Sequence, residues 1–305
     1  GGSSELIDYA LYPKQWEASI EVSNSNQPVV IFGLANGEKV DSKRVKSVWY
    51  RRISGPKREG HNSTNPAVEK YIKLESNIFL DSLPFVMNSL WVDPPKVVEA
   101  ASFKARQLML ARMIGFSIPE SVVGNSPDSI LRLIGNSQSD EIVIKTVDMT
   151  TVCPDPDAQE KNLMIYSTKL STKVILGNIR RTKNCPIIAQ GLIEKQLDIR
   201  VTVVGQAVFA AEINTGDTGQ HVDWRHHSLP KTYRSHKLPD DLADKCVMIT
   251  KSLGLIFGCI DLGYSDSEGY TFFEINPVGQ WLPTELFTGA NISGALASLL
   301  IEGQK

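Results

Sequence analysis

Apolar positions recur along the chain at two periods, and the switches between them divide it. Residues 20–22, 29–32 and 45–50 read as short strands separated by Asn, Gly and Ser turns. From 66 to 83 the apolar residues Val68, Tyr71, Ile72, Ile78, Phe79 and Leu83 recur near the helical period, with Asn65 and Pro66 as a start signal. Trp91-Val92-Asp93-Pro94-Pro95 closes this region, because proline biases the residue before it away from helix. One helix is then expected over 94–114, with Asp93 as N-cap and Gly115 as its left-handed stop. Its stripe of Val97, Ala101, Leu108 and Ala111 leaves Lys104, in mid-helix, one step off the apolar face.

Residues 116–119 lead into a strand about Val122, Ser126-Pro127-Asp128 starts a short helix over 130–134, and 141–147 is β-rich with Lys145 inside it. Residues 148–159 are polar and proline-bearing and read as a mobile loop, while 163–166 and 186–189 read as strands. Two alternating runs, 198–204 and 207–213, meet at Gly205-Gln206, a hairpin signal. An amphipathic helix over 239–253 (Leu242, Cys246, Ile249, Leu253) stops at Gly254. A second hairpin, 257–264 with 270–276, turns about 266–269, and a helix over 292–301 follows.

A chain of 305 residues can bury a sizeable core and divide into two or three lobes. Its 42% hydrophobic and 22% charged residues argue for a folded rather than a disordered protein. A formal net charge of −2 gives no general reason to bind nucleic acid or an anionic membrane. No apolar run approaches the ~20 residues of a membrane helix, and no signal peptide is visible. Cys153, Cys185, Cys246 and Cys259 lie far apart with no CxxC pair, against a zinc site or disulfide framework and in keeping with a reducing cytoplasm. Gly1-Gly2-Ser3-Ser4 reads as an artificial extension.

The strongest local chemistry lies in the second hairpin. In Phe272-Phe273-Glu274-Ile275-Asn276, alternation puts Glu274 and Asn276 on one face and Phe273 and Ile275 on the other. Symmetric pairing about Ser267-Glu268 sets Asp261 opposite Glu274, with Cβ atoms about 4.5–5.5 Å apart. Such hard oxygen donors, completed by phosphate and water, suit Mg²⁺; otherwise the acids are simply solvated. Lys145 ends an interior-type strand, where lysine is seldom buried unpaired, so it has a phosphate partner or snorkels at the strand edge. Asp223-Trp224-Arg225 places an arginine that holds an anion or a surface ion pair. No phosphate loop, GxGxxG, GxSxG or HExxH is present, and His221, His226 and His227 cluster without partner ligands.

Taken in order, Lys104, Lys145, the 190–193 hinge, Asp198-Ile199-Arg200, Asp223-Trp224-Arg225, Asp261 and Glu274-x-Asn276 resemble the ATP-grasp superfamily. The resemblance is closer still to the graspetide synthetases, which include microviridin-type ligases. It is carried by Ser47-Val48-Trp49-Tyr50-Arg51-Arg52, the 101–108 region with Lys104 and Gln107-Leu108, Gly115-Phe116-Ser117-Ile118-Pro119 and Glu274-Ile275-Asn276-Pro277-Val278-Gly279-Gln280-Trp281. It runs from about Asp8 onward.

The resemblance implies an α+β ATP-grasp fold of three lobes (1–92, 93–188 and 189–305), with ATP in the cleft between the central and C-terminal lobes. Relatives usually begin with a further strand and helix, so the first lobe is expected to lack them. Lys104 and Lys145 would hold ATP phosphates, the backbone of Gln190, Gly191, Leu192 and Ile193 the adenine, and Asp198 the ribose. Arg225, with Arg200, would face the γ-phosphate and the acyl phosphate, and Asp261, Glu274 and Asn276 would bind Mg²⁺. Two features depart from the wider pattern: the loop after Lys145 lacks glycines, and Gly191 stands where relatives commonly carry glutamate.

The activity implied is a cytoplasmic, ADP-forming peptide ligase that activates Asp or Glu side chains of a ribosomal precursor peptide, leader plus core. It would join them to Ser/Thr hydroxyls or a Lys amine as a macrocycle. A homodimer is a further partner the reading admits; nucleic acid and membrane are not expected. The rivals are a ligase of the same fold acting on small amino acids and a non-catalytic peptide- or nucleotide-binding module. Leader docking is expected on the central lobe, over 148–159 and 166–181, where Lys169, Lys173, Arg180 and Arg181 offer positive charge.

Overall fold

A computed structural model describes residues 2–51, 65–148, 151–152, 163–215, 223–225 and 231–303. The chain forms two compact units, Gly1–Glu99 with Ser293–Lys305, and Ala100–Ile292. His221, His226, His227, Arg52 and, of the 148–159 loop, residues 149–150 and 153–159 lie outside the described residues.

In the first unit, β1 (Glu17–Glu21), β2 (Val29–Gly33) and β3 (Lys39–Asp41) form an antiparallel sheet in that order. β4 (Ser47–Trp49) and β5 (Leu90–Val92) pair in parallel, with α1 (Pro66–Val86) between them in the chain. Asn65 caps α1, its Oδ1 accepting from Ala67 N, and Pro66 loses nothing at the first turn because that N–H has no helical partner. Trp16, Val30, Phe32, Leu80, Leu83, Met87 and Trp91 make the core. The helix ending the chain belongs here: Ser47 Oγ donates to Leu300 O at 2.7 Å.

The helix expected over 94–114 is two, α2 (Pro95–Ala101) and α3 (Lys104–Ile114). Phe103 is extended, and the Arg106 guanidinium takes the carbonyl of Ala100 that an unbroken helix would have used. Lys104 therefore stands at the first residue of α3, not mid-helix. Gly115, at φ 96°, ends α3 as expected.

In the second unit, β6 (Ser121–Gly124), α4 (Pro127–Asn136), β7 (Glu141–Lys145), the short pair β8 (Thr151–Val152) and β9 (Leu163–Met164), β10 (Thr168–Ser171), α5 (Thr172–Asn178) and β11 (Ile187–Gly191) come first. Four strands form an antiparallel sheet in the order β10-β7-β11-β6. Ile142 and Ala189 from the sheet pack with Ile130, Leu133 and Ile175 from α4 and α5. The strand expected over 163–166 is only two residues long, and β10 went unforeseen because Thr168–Ser171 carries one large apolar residue.

A five-stranded antiparallel sheet, ordered β14-β13-β12-β15-β16, follows from β12 (Leu197–Val204), β13 (Ala207–Asn214), β14 (Thr232–His236), α6 (Asp240–Ser252), β15 (Phe257–Ser265) and β16 (Gly269–Asn276). Gly205, at φ 60°, turns β12 into β13 at the expected place. α6 buries Leu242, Cys246 and Ile249, leaving β12 and β15 buried almost throughout, so every polar side chain on them needs a partner. α7 (Leu282–Thr288) and α8 (Ile292–Glu302) complete the chain.

Candidate active site

Asp261 and Glu274 stand directly opposite each other on β15 and β16, as the symmetric hairpin predicts. The hairpin does not keep that register throughout. Near the turn Leu262 pairs with Phe272, and a one-residue bulge at Phe273 restores the pairing of Asp261 with Glu274. The bulge takes Phe273 out of the expected alternation, while Glu274, Ile275 and Asn276 pair in unbroken register and keep Glu274 and Asn276 on one face. The Phe273 ring lies 5.2 Å from Lys145 Nζ and 5.4 Å from Lys195 Nζ, against the lysine on which Glu274 also acts electrostatically.

Each carboxylate of the pair carries an arginine. Arg200, on β12 beside β15 and 5% exposed, donates through Nη1 to Asp261 Oδ1 at 2.8 Å and through Nη2 to Gln280 O at 3.2 Å. Its Nε is buried with no hydrogen-bond partner among the described residues. Gly279 permits this approach: a Cβ there would stand 2.6 Å from Arg200 Nη2. Arg225 grips Asp223 in bidentate fashion, with Nε–Oδ1 and Nη2–Oδ2 both 2.8 Å, and its Nη1 reaches Glu274 Oε1 at 3.0 Å. Asp223 orients Arg225, a role not foreseen because a lone Asp two residues before an Arg reads as a surface pair.

Lys104 Nζ lies 3.5 Å from Glu274 Oε2. Burial alone would raise the Glu274 pKa, but Arg225, Lys104 and Lys145 together outweigh it and hold the carboxyl below its ordinary range. Asp261 is shifted upward, chiefly by burial, with Glu274 adding to the rise and Arg200 opposing it. Asp223 is held well below the usual carboxylate range, because hydrogen bonds and charge from Arg225 override the effect of burial. Lys145 is pushed down to about 8, first by burial and then by Lys104, with Glu274 pulling the other way.

A small pocket is lined by Pro119, Val143, Lys145, Lys195, Phe273 and the 190–193 segment. β11 uses Gln190 and Gly191 as ladder residues, paired with Val143 and Ile142 of β7; the Gln190 side-chain Nε2 also donates to Ser121 Oγ at 2.8 Å, and Gly191 N donates to Glu120 O at 2.9 Å. Leu192 and Ile193, past the end of the ladder, therefore offer the backbone polar groups that β11 itself does not consume. Asp198 lies beside this segment, paired with Lys195, and burial raises its pKa to about 6 against the pull of that lysine. Neither Lys195 nor Phe273 stands out in the sequence as a site residue. An aromatic residue in an apolar strand reads as core until a bulge re-aims it.

The structure thus brings Lys104, Lys145, Arg200, Arg225, Asp261 and Glu274 together. Asn276 is two residues from Glu274, and its Oδ1 accepts from Val278 N at 3.0 Å, which leaves a lone pair. Among the described residues no group of three His, Cys, Asp or Glu is arranged to hold a metal. The donor set here is two facing carboxylates and one amide, all hard oxygens, with a chemistry that fits Mg²⁺ completed by phosphate oxygens. Five cations (Lys104, Lys145, Lys195, Arg200, Arg225) face four carboxylates (Asp198, Asp223, Asp261, Glu274), and the buried Nε–H of Arg200 is a donor to spare. This surplus suits a polyanion.

A four-stranded antiparallel sheet with its own helices, followed by a five-stranded sheet bearing the paired acids, defines an α+β ATP-grasp fold. The chain is similar to the macrocyclase MdnC of Microcystis aeruginosa MRC, solved bound to precursor peptide MdnA, at 24% identity and TM-score 0.82, over 97% of this chain and 90% of that one. It is similar to a RiPP-associated ATP-grasp ligase of Chryseobacterium gregarium, in complex with ADP and a leader and core peptide, at 22% identity and TM-score 0.84, over 98% and 88%. It is similar to the ATP-grasp ligase PsnB, complexed with a phosphomimetic precursor variant, Mg and ADP, at 19% identity and TM-score 0.75, over 100% and 91%. At these identities the likeness is one of fold. No protein-family model matches the chain, and no curated protein matches it. Among the described residues no helix is long and apolar enough to cross a membrane.

Proposed function

We propose that this chain is an ATP-dependent peptide ligase that closes side-chain rings in a ribosomal precursor peptide. The observation that carries the reading is Glu274 held between Arg225 and Lys104, directly across the strand pair from Asp261 with its own Arg200. The fold similarity to ligases solved with precursor peptides and ADP supports it.

The three-lobe division is retained, with ATP between the central and C-terminal lobes. Leu192 and Ile193 present backbone to the adenine, Phe273 covers it, and Asp198 takes the ribose hydroxyls. Lys104 and Lys145 hold the phosphates. Asp261, Glu274 and Asn276 would hold Mg²⁺, which when bound neutralises phosphate charge and aligns the terminal phosphoryl group. A carboxylate oxygen of a peptide Asp or Glu attacks the γ-phosphorus, the bond to the β-phosphate oxygen breaks, and ADP leaves. Arg225 and Arg200 offset charge on the phosphoryl oxygens, with the spare Nε–H of Arg200 as a fixed donor. A Ser or Thr hydroxyl, or a Lys amine, of the same peptide then adds to the acyl carbon, loses its proton and expels phosphate. Both ends belong to one bound peptide, so no bimolecular encounter is needed.

Lys173, Arg180 and Arg181 are exposed, and Lys169 is tied to Glu141 at 3.2 Å. We place leader docking on this face. Changing all four to glutamate is expected to weaken leader binding and spare ADP binding; unchanged leader affinity would refute the assignment.

The test of the ligase itself is mass spectrometry of a genomically neighbouring Thr/Glu-rich peptide after incubation with the protein, ATP and Mg²⁺. Loss of one water per ring with matching ADP release is expected. Nucleotide binding with no ADP formation on any carboxylate peptide would sink the reading.

A further inference from the structure

We infer that Gln107 is a positioning residue that sets Glu274 and Asn276 against Lys104 by holding the backbone between the two acidic-site donors. The inference rests on the reading of this site as a nucleotide–metal centre. β16 is an edge strand, and an edge strand presents backbone groups that no neighbouring strand pairs. At Ile275, the residue between Glu274 and Asn276, those groups go to one side chain. Gln107 Nε2 donates to Ile275 O at 2.8 Å, and Ile275 N donates to Gln107 Oε1 at 3.1 Å. This is the two-bond ring that a residue of a further antiparallel strand would make.

The second hydrogen of Gln107 Nε2 is also used, donating to Ala101 O at 2.8 Å. Ala101 ends α2 and Lys104 begins α3, so one amide secures the helix break and the strand together. Gln107 is 2% exposed, and both of its N–H groups and its oxygen are engaged. Lys104 and Gln107 are three residues apart, hence on one face of α3, with the ammonium 3.5 Å from Glu274 Oε2. The spacing between the phosphate-side lysine and the carboxylate is therefore fixed through the backbone of Ile275. The flexible Lys104–Glu274 contact does not set it.

Hydrogen exchange of the unaltered protein is the first test. The Ile275 amide should exchange slowly although it faces outward from an edge strand; exchange at the rate of an open edge amide would overturn the inference. Next, ADP affinity is measured with and without Mg²⁺ in Gln107→Met, which keeps length without polar atoms. The same is done in Gln107→Glu, which keeps the acceptor but sets a carboxylate oxygen against two carbonyls. Both should bind metal-free ADP within about threefold of the parent and lose most of the gain that Mg²⁺ confers, with turnover down roughly 10- to 100-fold. A folded variant of either kind that keeps the full magnesium gain would refute the role. So would a parallel fall in metal-free and metal-supported affinity, which marks a merely structural residue. If the parent itself shows no magnesium gain, the nucleotide–metal reading fails, and the clamp stands or falls on the Ile275 exchange rate.

Discussion

The two sheets of residues 100–292 treat buried charge in opposite ways. On the five-stranded sheet and the segment beside it, Arg200 has Asp261, and Arg225 has both Asp223 and Glu274. On the four-stranded sheet, Lys145 has no carboxylate within 4.0 Å among the described residues, only the face of Phe273. A paired wall is preorganised: its arginines hold their geometry before any ligand arrives. An unpaired lysine pays a desolvation penalty that a bound anion would relieve. The first arrangement suits groups that act on a transition state, the second a group that recognises the substrate.

The largest effect is expected from Glu274→Gln. It removes the acid that Arg225 and Lys104 share and keeps its shape, so turnover should fall by about 100-fold or more with the fold retained. Activity within a few-fold of the parent would break the contrast, because the paired wall would then be structural. Lys145→Met comes next. ADP affinity should drop about 10-fold or more, while the thermal midpoint of the ligand-free protein rises or holds, since an apolar isostere carries no charge to bury.

The sign of the pH dependence follows from the folded pKa of about 8 against 10.5 for the free side chain. Between those values the unfolded chain binds the extra proton, so stability gains with rising pH. The penalty is full below pH 8 and gone above 10.5. Melting curves across this window should show that rise in the parent, not in Lys145→Met, and ADP should suppress it. An equal profile in both proteins means Lys145 is already solvated or paired.

How much of this could be read beforehand depends on the range over which each feature is determined. The pairing of β15 with β16 as a hairpin followed from two alternating runs about a short turn, though Asp261 faces Glu274 only because the bulge at Phe273 offsets a one-residue shift of register at that turn. The Gly205 hairpin, the Gly115 stop and the 66–86 helix likewise depend on neighbours in sequence. The bulge at Phe273 does not: nothing in Thr271-Phe272-Phe273-Glu274 distinguishes an extra residue from a regular one. The break before Lys104 was hidden because both halves suit helix, and what separates them includes side chains reaching back from the next turn. Lys195 and Asp223 have local partners, Asp198 and Arg225, but what brings them to the site is reached only by tertiary folding: the Phe273 ring beside Lys195, and Glu274 against Arg225.

Asp198→Asn tests the recognition side more gently. Burial raises this carboxyl to about 6 from 3.8, so it is largely protonated in the folded protein at pH 5 and ionised at pH 7. A carboxylate accepts hydrogen bonds from ribose hydroxyls better than its acid does, so parent ADP affinity should strengthen several-fold through pH 6. The folded state holds the extra proton between the two values, so stability falls as pH rises from 3.8 to 6. Asp198→Asn should flatten both profiles. A parent affinity independent of pH in this window would remove Asp198 from the nucleotide site.

The smallest expected effect is the one that best isolates how the two sheets meet. Gly263 on β15 lies under the ring of Phe273: a Cβ there would stand 2.7 Å from Cζ and 2.8 Å from Cε2, closer than real contacts allow. Gly263→Ala must therefore displace the ring, which is the group facing both Lys145 and Lys195. The carboxylate wall beyond the bulge keeps its ladder partners and its arginines, so turnover at saturating ATP should change little. ADP affinity should fall by a few-fold, roughly the loss of one cation–π contact, and a slightly lower thermal midpoint should accompany it. The split between an altered nucleotide affinity and a near-constant maximal rate would place Phe273 with the recognising lysines. A fall in maximal rate at unchanged affinity would place it with the paired acids instead, and the division of labour between the two sheets would have to be redrawn at the bulge.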